Sequence, residues 1–379
     1  MPTLNPKDIY SQLGIKPIIN ASGNQTLLGG STLSPGVQAA MEAANAVYAP
    51  MEEVLEKSGA AIAKMMGAEG GYVTSGCYAA LVLSVASVMA GDDPDKIMQL
   101  PDTSGMKNEF LLQKKTRYHY DRCISAAGGK LIEMGDETGT TAEQLEAAIN
   151  SQTAGILFFA AGEKIPDTLP LKTVISIAQK HNLAVIVDAA AEIYPLERMT
   201  NLVNSGADLL CFGAKYLGSA NSAGILCGKK DRVHAATLHN FISYETKLNR
   251  SMARGYKIDR QEVVATVVAL DEWLTMDHEE RLQEQAERIQ TISGVLAGVP
   301  HITAENAYPD EGGAWMRLRV KVDTDALGKT PDEVVANLRA GDPSIWTRAD
   351  GDKLFIGVHT LREGEVEIVA DRLKQELSV

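Results

Sequence analysis

The chain has 379 residues, 45% of them hydrophobic and 22% charged, which suits two globular domains or one large domain with a smaller appendage. Its 36 basic residues against 49 acidic ones leave a net charge of −13, which argues against tRNA, DNA or another polyanion as partner. There is no apolar run of about 18 residues to span a membrane and no apolar leader behind Met1, and the four cysteines lack the spacing of a zinc site or a disulfide framework. The expectation is a soluble cytoplasmic protein without a metal.

Residues 1–50 read as an arm. Lys16-Pro-Ile-Ile-Asn20-Ala-Ser-Gly and the following Leu28-Gly-Gly lack apolar periodicity, as expected of a segment that lies on another surface. Ser34-Pro35 then offers an N-cap and a first-turn proline for a helix through Val37, Ala40, Met41 and Ala44. Residues 52–66 repeat Val54, Leu55, Ile62 and Met65 at helical spacing.

The stretch 51–255 alternates strands and helices and reads as the large domain. Strands are expected at 71–74, 97–100, 110–112, 130–134, 155–160, 183–187 and 208–212, with a return strand at 225–227. Helices are expected at 78–89, 141–150 and 171–181. Apolar runs that do not alternate are buried on both faces, so the fold class is α/β with a mostly parallel sheet between layers of helices.

Residues 256–379 read as a small C-terminal α/β domain. A long helix from about 259 to 297 precedes a half-exposed strand in which Met316, Leu318, Val320 and Val322 alternate with Arg317, Arg319 and Lys321. A helix at 331–339, strands at 344–347 and 354–358, and a helix at 363–377 complete it.

Three features of the large domain point to one chemistry. Val73-Thr74-Ser75-Gly76-Cys77 is a strand, a hydroxyl-glycine turn and a helix start, where free N–H groups suit a phosphate. Asp188 ends the buried run Leu183-Ala-Val-Ile-Val, and an acid there is costly unless it meets a cation. Lys215 follows the run 208–212 among small residues, where poor hydration disfavours the ammonium and leaves a nucleophilic amine. Together they match what pyridoxal 5′-phosphate requires: an amine for its aldehyde, an acid for its ring nitrogen and a grip for its phosphate. No GxGxxG follows the first strand, and neither a P-loop, HExxH nor GxSxG occurs.

At these residues the chain resembles the fold type I pyridoxal phosphate enzymes, and more narrowly the selenocysteine-synthase-like group with its D-glucosaminate-6-phosphate ammonia-lyase branch. The segments Ile19-Asn-Ala-Ser-Gly23, Leu28-Gly-Gly-Ser-Thr-Leu-Ser-Pro35, Val73-Thr-Ser-Gly76, Val187-Asp-Ala-Ala-Ala191 and Ala223-Gly-Ile-Leu226 carry the resemblance. It implies a seven-stranded sheet, Lys215 as the Schiff-base lysine, Asp188 as partner of the ring nitrogen, and Ser75, Gly76 and Cys77 as phosphate ligands. It also implies a ring-stacking side chain near 118–120, with His119 preferred over Tyr120. The chain departs from the group at Phe212, where a serine is usual, and at Ser219-Ala220-Asn221, which replaces Gly-Pro-Gln.

The activity implied is α,β-elimination of ammonia from a hydroxylated amino acid or amino-sugar acid such as D-glucosaminate 6-phosphate, giving a 2-keto acid. Asn20, Arg254, Lys257, Arg348 and His359 are the candidates to bind the acidic ends of that small-molecule substrate. Racemisation or aldol cleavage shares the first steps and stands as the alternative. A selenium transferase fits less well, because the chain is acidic and its core begins almost at once. A catalytically silent homologue is the remaining reading. The arm suits a homodimer or a higher assembly of dimers.

Overall fold

The computed structural model describes residues 4–307 and 314–378. The chain forms two compact units, Met1–Gly30 with Asp277–Val379, and Ser31–Met276, so the divisions fall elsewhere than at residues 50 and 255. The reason at the first boundary is pairing: β1 (Ile19–Asn20) adds in parallel to Ile345–Trp346, which ties the first segment to the C-terminal unit.

Residues 31–50 belong to the larger unit instead of forming a free arm. The Ser34 hydroxyl accepts the Val37 N–H at 3.0 Å, starts the helix Pro35–Ala46, and donates to Glu272 at 2.7 Å. Glu272 lies on the helix Arg260–Thr275, which packs against both Pro35–Ala46 and Met51–Met66.

The core of the larger unit is a sheet of β2 (Gly70–Thr74), β3 (Glu109–Gln113), β4 (Lys130–Met134), β5 (Thr153–Phe159), β6 (Ala184–Asp188), β7 (Leu209–Gly213) and β8 (Gly224–Gly228). Its order is β2-β8-β7-β6-β5-β3-β4. β8 runs antiparallel to both neighbours while the other pairs are parallel, giving the mostly parallel seven-stranded sheet. The uncharged helix Cys77–Ala90 is buried along nearly its whole length, as its composition requires.

Two expected elements differ. Residues 97–100 are not a strand but largely belong to the helix Pro94–Gln99, because the Asp93 carboxylate caps it, accepting from the N–H groups of Asp95 and Lys96 at 3.0 and 3.3 Å, with Pro94 in the first turn. The capping signal prevails over a short apolar run. The helix expected over 259–297 is two helices, Arg260–Thr275 and His278–Leu296. Asp277 caps the second, and the unit boundary lies at this break.

In the smaller unit β9 (Ile302–Ala307), β10 (Arg317–Val322), β12 (Arg348–Asp350) and β13 (Lys353–Gly357) form an antiparallel sheet in the order β12-β13-β10-β9. The stretch expected as one strand at 344–347 serves another pairing as β11 (Ile345–Trp346), the partner of β1. Leu318, Val320, Ile345, Ile356, Val369 and Leu373 form its core. Among the described residues no helix is long and apolar enough to cross a membrane.

Candidate active site

The register of the large sheet brings four strand termini to one edge. Asp188, the last residue of β6, pairs with Cys211 of β7, and two residues on Gly213 meets Gly224, which also faces Thr74. The turn Ser75–Cys77, the Asp188 carboxylate and Lys215 therefore all lie just beyond these termini, the place where open α/β sheets hold ligands.

The Ser75–Cys77 turn has the features that an anion site requires. Gly76 has φ 94°, in the left-handed region that glycine tolerates, and the helix behind it has no side-chain cap. Its first-turn N–H groups and positive dipole end therefore remain for a ligand. The Ser75 hydroxyl is buried without a hydrogen-bond partner in this chain, a cost that an incoming acceptor would remove. The side-chain oxygen of Asn221, on the turn before β8, is likewise buried and unpartnered. Phe212 lies wholly in the core, so that position presents no polar group.

Lys215 sits in the single 3-10 turn Ala214–Leu217 after β7, closed by Gly218 at φ 92°. Its ammonium is half-buried with Nζ 5.1 Å from the Tyr216 ring centroid. Burial lowers its pKa, so the neutral amine forms more readily than on an exposed lysine.

Asp188 is 3% exposed. Its Oδ1 accepts the Ala190 N–H at 3.1 Å and the Cys77 thiol at 3.7 Å, and its Oδ2 accepts the Tyr118 hydroxyl at 2.5 Å. Burial raises its pKa on balance, with these three donors acting against the rise. Tyr118 is the member of the 118–120 segment that reaches the site. His119 and Tyr120 are exposed in this structure. Sequence reasoning bracketed Tyr118 without choosing it, and the available signal was a phenol tip able to satisfy a buried acid.

The candidates for substrate binding are distributed over both units. In the larger one Arg254 forms an ion pair with Glu245, and Lys257 is exposed. In the smaller one Arg348 is exposed, and the Asn20 side-chain oxygen accepts the N–H groups of Ser22 and Gly23 at 3.0 and 3.2 Å. His359 stacks on Trp315 with ring centroids 4.3 Å apart, and both its ring nitrogens are buried without partners. Burial first, then the guanidinium groups of Arg317, Arg281, Arg288 and Arg348, push its pKa down to about 3. It is therefore neutral at pH 7 and offers a hydrogen bond, not a charge.

The residues at the sheet edge fit pyridoxal phosphate: an unpartnered hydroxyl and an uncapped helix start for the phosphate, an accessible amine for the aldehyde, and a buried carboxylate for the ring nitrogen. Residues 18–362 match SelA, the L-seryl-tRNA selenium transferase family. The chain belongs to this family. This SelA-family chain is 30% identical over 378 residues to D-glucosaminate-6-phosphate ammonia lyase of Salmonella typhimurium, with 97% of each chain covered. It is also 30% identical over 347 residues to 5'-C-glycyluridine monooxygenase-decarboxylase of a Streptomyces species, covering 89% of this chain and 84% of that one. The solved structure of D-glucosaminate-6-phosphate ammonia-lyase matches with a TM-score of 0.81 and 29% identity over 99% of both chains.

Proposed function

We propose that this SelA-family protein is a pyridoxal-phosphate-dependent ammonia-lyase that converts a hydroxylated amino acid or amino-sugar acid of the D-glucosaminate 6-phosphate type into a 2-keto acid and ammonia, the water lost in the elimination being taken up again in the hydrolysis. The observation that carries the reading is the likeness to an enzyme of that activity along 97% of both chains, joined to an amine, an acid and an anion turn at one sheet edge. When bound, pyridoxal phosphate supplies an aldehyde that captures an amine and a ring that accepts the electrons released at the substrate's Cα.

This chain's own residues do the rest. Lys215 Nζ would hold the cofactor aldehyde and would take the proton from the substrate's Cα, for which a lowered pKa suits it. Asp188 keeps the ring nitrogen protonated. Ser75, Gly76 and Cys77 hold the phosphate through one hydroxyl and the free N–H groups of the helix start. Loss of the β-hydroxyl and hydrolysis of the released enamine give the keto acid and ammonia.

Asn20, Arg254, Lys257, Arg348 and His359 remain the candidates for the substrate's acid groups, each open to test by its effect on KM. The reading extends to a cytoplasmic homodimer. In its support, all four cysteines are free thiols, which suits a reducing compartment, and Val47, Tyr48 and Leu248 of the larger unit expose large apolar surfaces.

The direct test is to offer the cofactor-loaded protein a panel of hydroxy-amino acids and amino-sugar acids, with and without phosphate, and to assay keto acid and ammonia. Equal release of both from at least one member is expected. Exchange of the Cα proton without ammonia release would favour the racemase alternative.

A further inference from the structure

The Asp188 carboxylate meets a side chain that the likeness to an ammonia-lyase did not require, that of Tyr118. Tyr118 reaches Asp188 because three constraints fix it. Its backbone N–H donates to Asp121 Oδ2 at 3.3 Å, and Asp121 is itself buried and paired with Arg117. Its ring stacks on Phe159 with centroids 4.2 Å apart and planes 10° from parallel. Phe159 is the register partner of Asp188 across β5 and β6, so a ring laid on Phe159 is carried to the end of the strand that bears the acid. The hydroxyl then lies 2.5 Å from Oδ2, the length of a charge-assisted O–H···O bond.

Resting on the pyridoxal phosphate reading, we infer that Tyr118 is a positioning residue for the ring-nitrogen partner: its hydroxyl holds the Asp188 carboxylate ionised and oriented, and leaves the second lone pair of Oδ2 for the ring N–H. A carboxylate accepts about four hydrogen bonds, and here Oδ1 takes two donors and Oδ2 one. The other titratable groups that face Asp188 are the thiols of Cys77, Cys123 and Cys211 from three separate elements, and Glu192 on the loop that follows. Burial keeps the three thiols protonated and uncharged, and Glu192 opposes ionisation. Tyr118 is itself held in the phenol form by burial and by the carboxylate beside it. It therefore remains a donor at and around neutral pH.

Tyr118→Phe removes the oxygen and keeps the stacked ring. Loss of a bond to the charged form raises the Asp188 pKa, so the acid limb of cofactor affinity moves toward neutral pH. Binding is followed by the visible absorbance of the protein titrated with pyridoxal 5′-phosphate, and in parallel with the analogue whose ring nitrogen is replaced by carbon. The variant is expected to bind pyridoxal phosphate about ten- to a hundredfold more weakly at neutral pH, with the acid limb shifted upward, and to bind the carbon analogue as the wild type does. In an Asp188→Asn background the same change should have no effect. Equal losses for both cofactors would mean a structural role only and would overturn the inference, as would an unchanged profile. A wild-type protein that takes up no pyridoxal phosphate would instead remove the cofactor reading and this inference with it.

Discussion

Gly224 stands so close to the Ser75–Cys77 turn that a Cβ built on it would lie 2.5 Å from the amide nitrogen of Cys77 and against the carbonyl of Gly76. Both contacts are with backbone, which cannot swing aside. The crossing of β8 over this turn is therefore what holds the N–H groups of the helix start in place. Gly224→Ala should displace the turn, lower the melting temperature and weaken cofactor affinity at least about tenfold. A variant with unchanged absorbance titration and unchanged melting curve would show that the crossing has no such role.

The Ser75 hydroxyl makes a narrower prediction. Because it is buried and unpartnered, Ser75→Ala should leave stability unchanged or slightly improved. Its affinity for pyridoxal 5′-phosphate should fall about five- to thirtyfold. Affinity for pyridoxal, which lacks the phosphate, should not change. A matching loss for pyridoxal would mean that the hydroxyl serves the ring or the fold and not the phosphate.

Asp188 sets function against stability. A buried carboxylate costs free energy that a neutral amide of the same shape does not. Asp188→Asn is thus expected to melt at the same temperature as the wild type or above it, while kcat falls about a hundredfold or more. A lower melting temperature with undiminished kcat would contradict this assignment.

Much of this site was legible because an isolated charge inside or just after an apolar strand has few inexpensive explanations. Asp188 after Val187 and Lys215 after Phe212 are each weak signals alone and point to one chemistry only in company with the Ser75–Cys77 turn; the register of β6 and β7 puts them on one edge. Tyr118 was not legible, since Tyr118, His119 and Tyr120 all have polar tips and only the stack on Phe159 selects among them. The fold was read well wherever strands were continuous apolar runs. It was misread at Ile97, where four apolar-rich residues sit behind an Asp-Pro cap, and near residue 276, where two helices share one hydrophobic periodicity across the break that Asp277 caps. The pairing of Ile19 with Ile345 joins segments over three hundred residues apart, and nothing local in either announces it.

Two buried histidines make stability depend on pH. His239 is wholly buried, and burial lowers its pKa to about 4; that of His359 lies at about 3. Unfolded histidine titrates near about 6.5, so the unfolded chain binds more protons below that pH. The stability due to keeping these rings neutral is full above about pH 6.5 and is lost as pH falls toward the folded values. Melting temperature should therefore drop between about pH 6.5 and 4, and less steeply in His239→Gln and His359→Gln. Variants with the same slope as the wild type would show that other groups, such as carboxylates, govern the acid limb.

The central claim is that the amine of residue 215 holds the cofactor aldehyde. Borohydride reduction of the protein incubated with pyridoxal 5′-phosphate, followed by peptide mass mapping, reads this directly. One reduced pyridoxyl group on Nζ of Lys215 is expected, with none recovered from Lys215→Ala. Stoichiometric label on another lysine, such as Lys229 or Lys257, or no label on the wild-type protein, would contradict it.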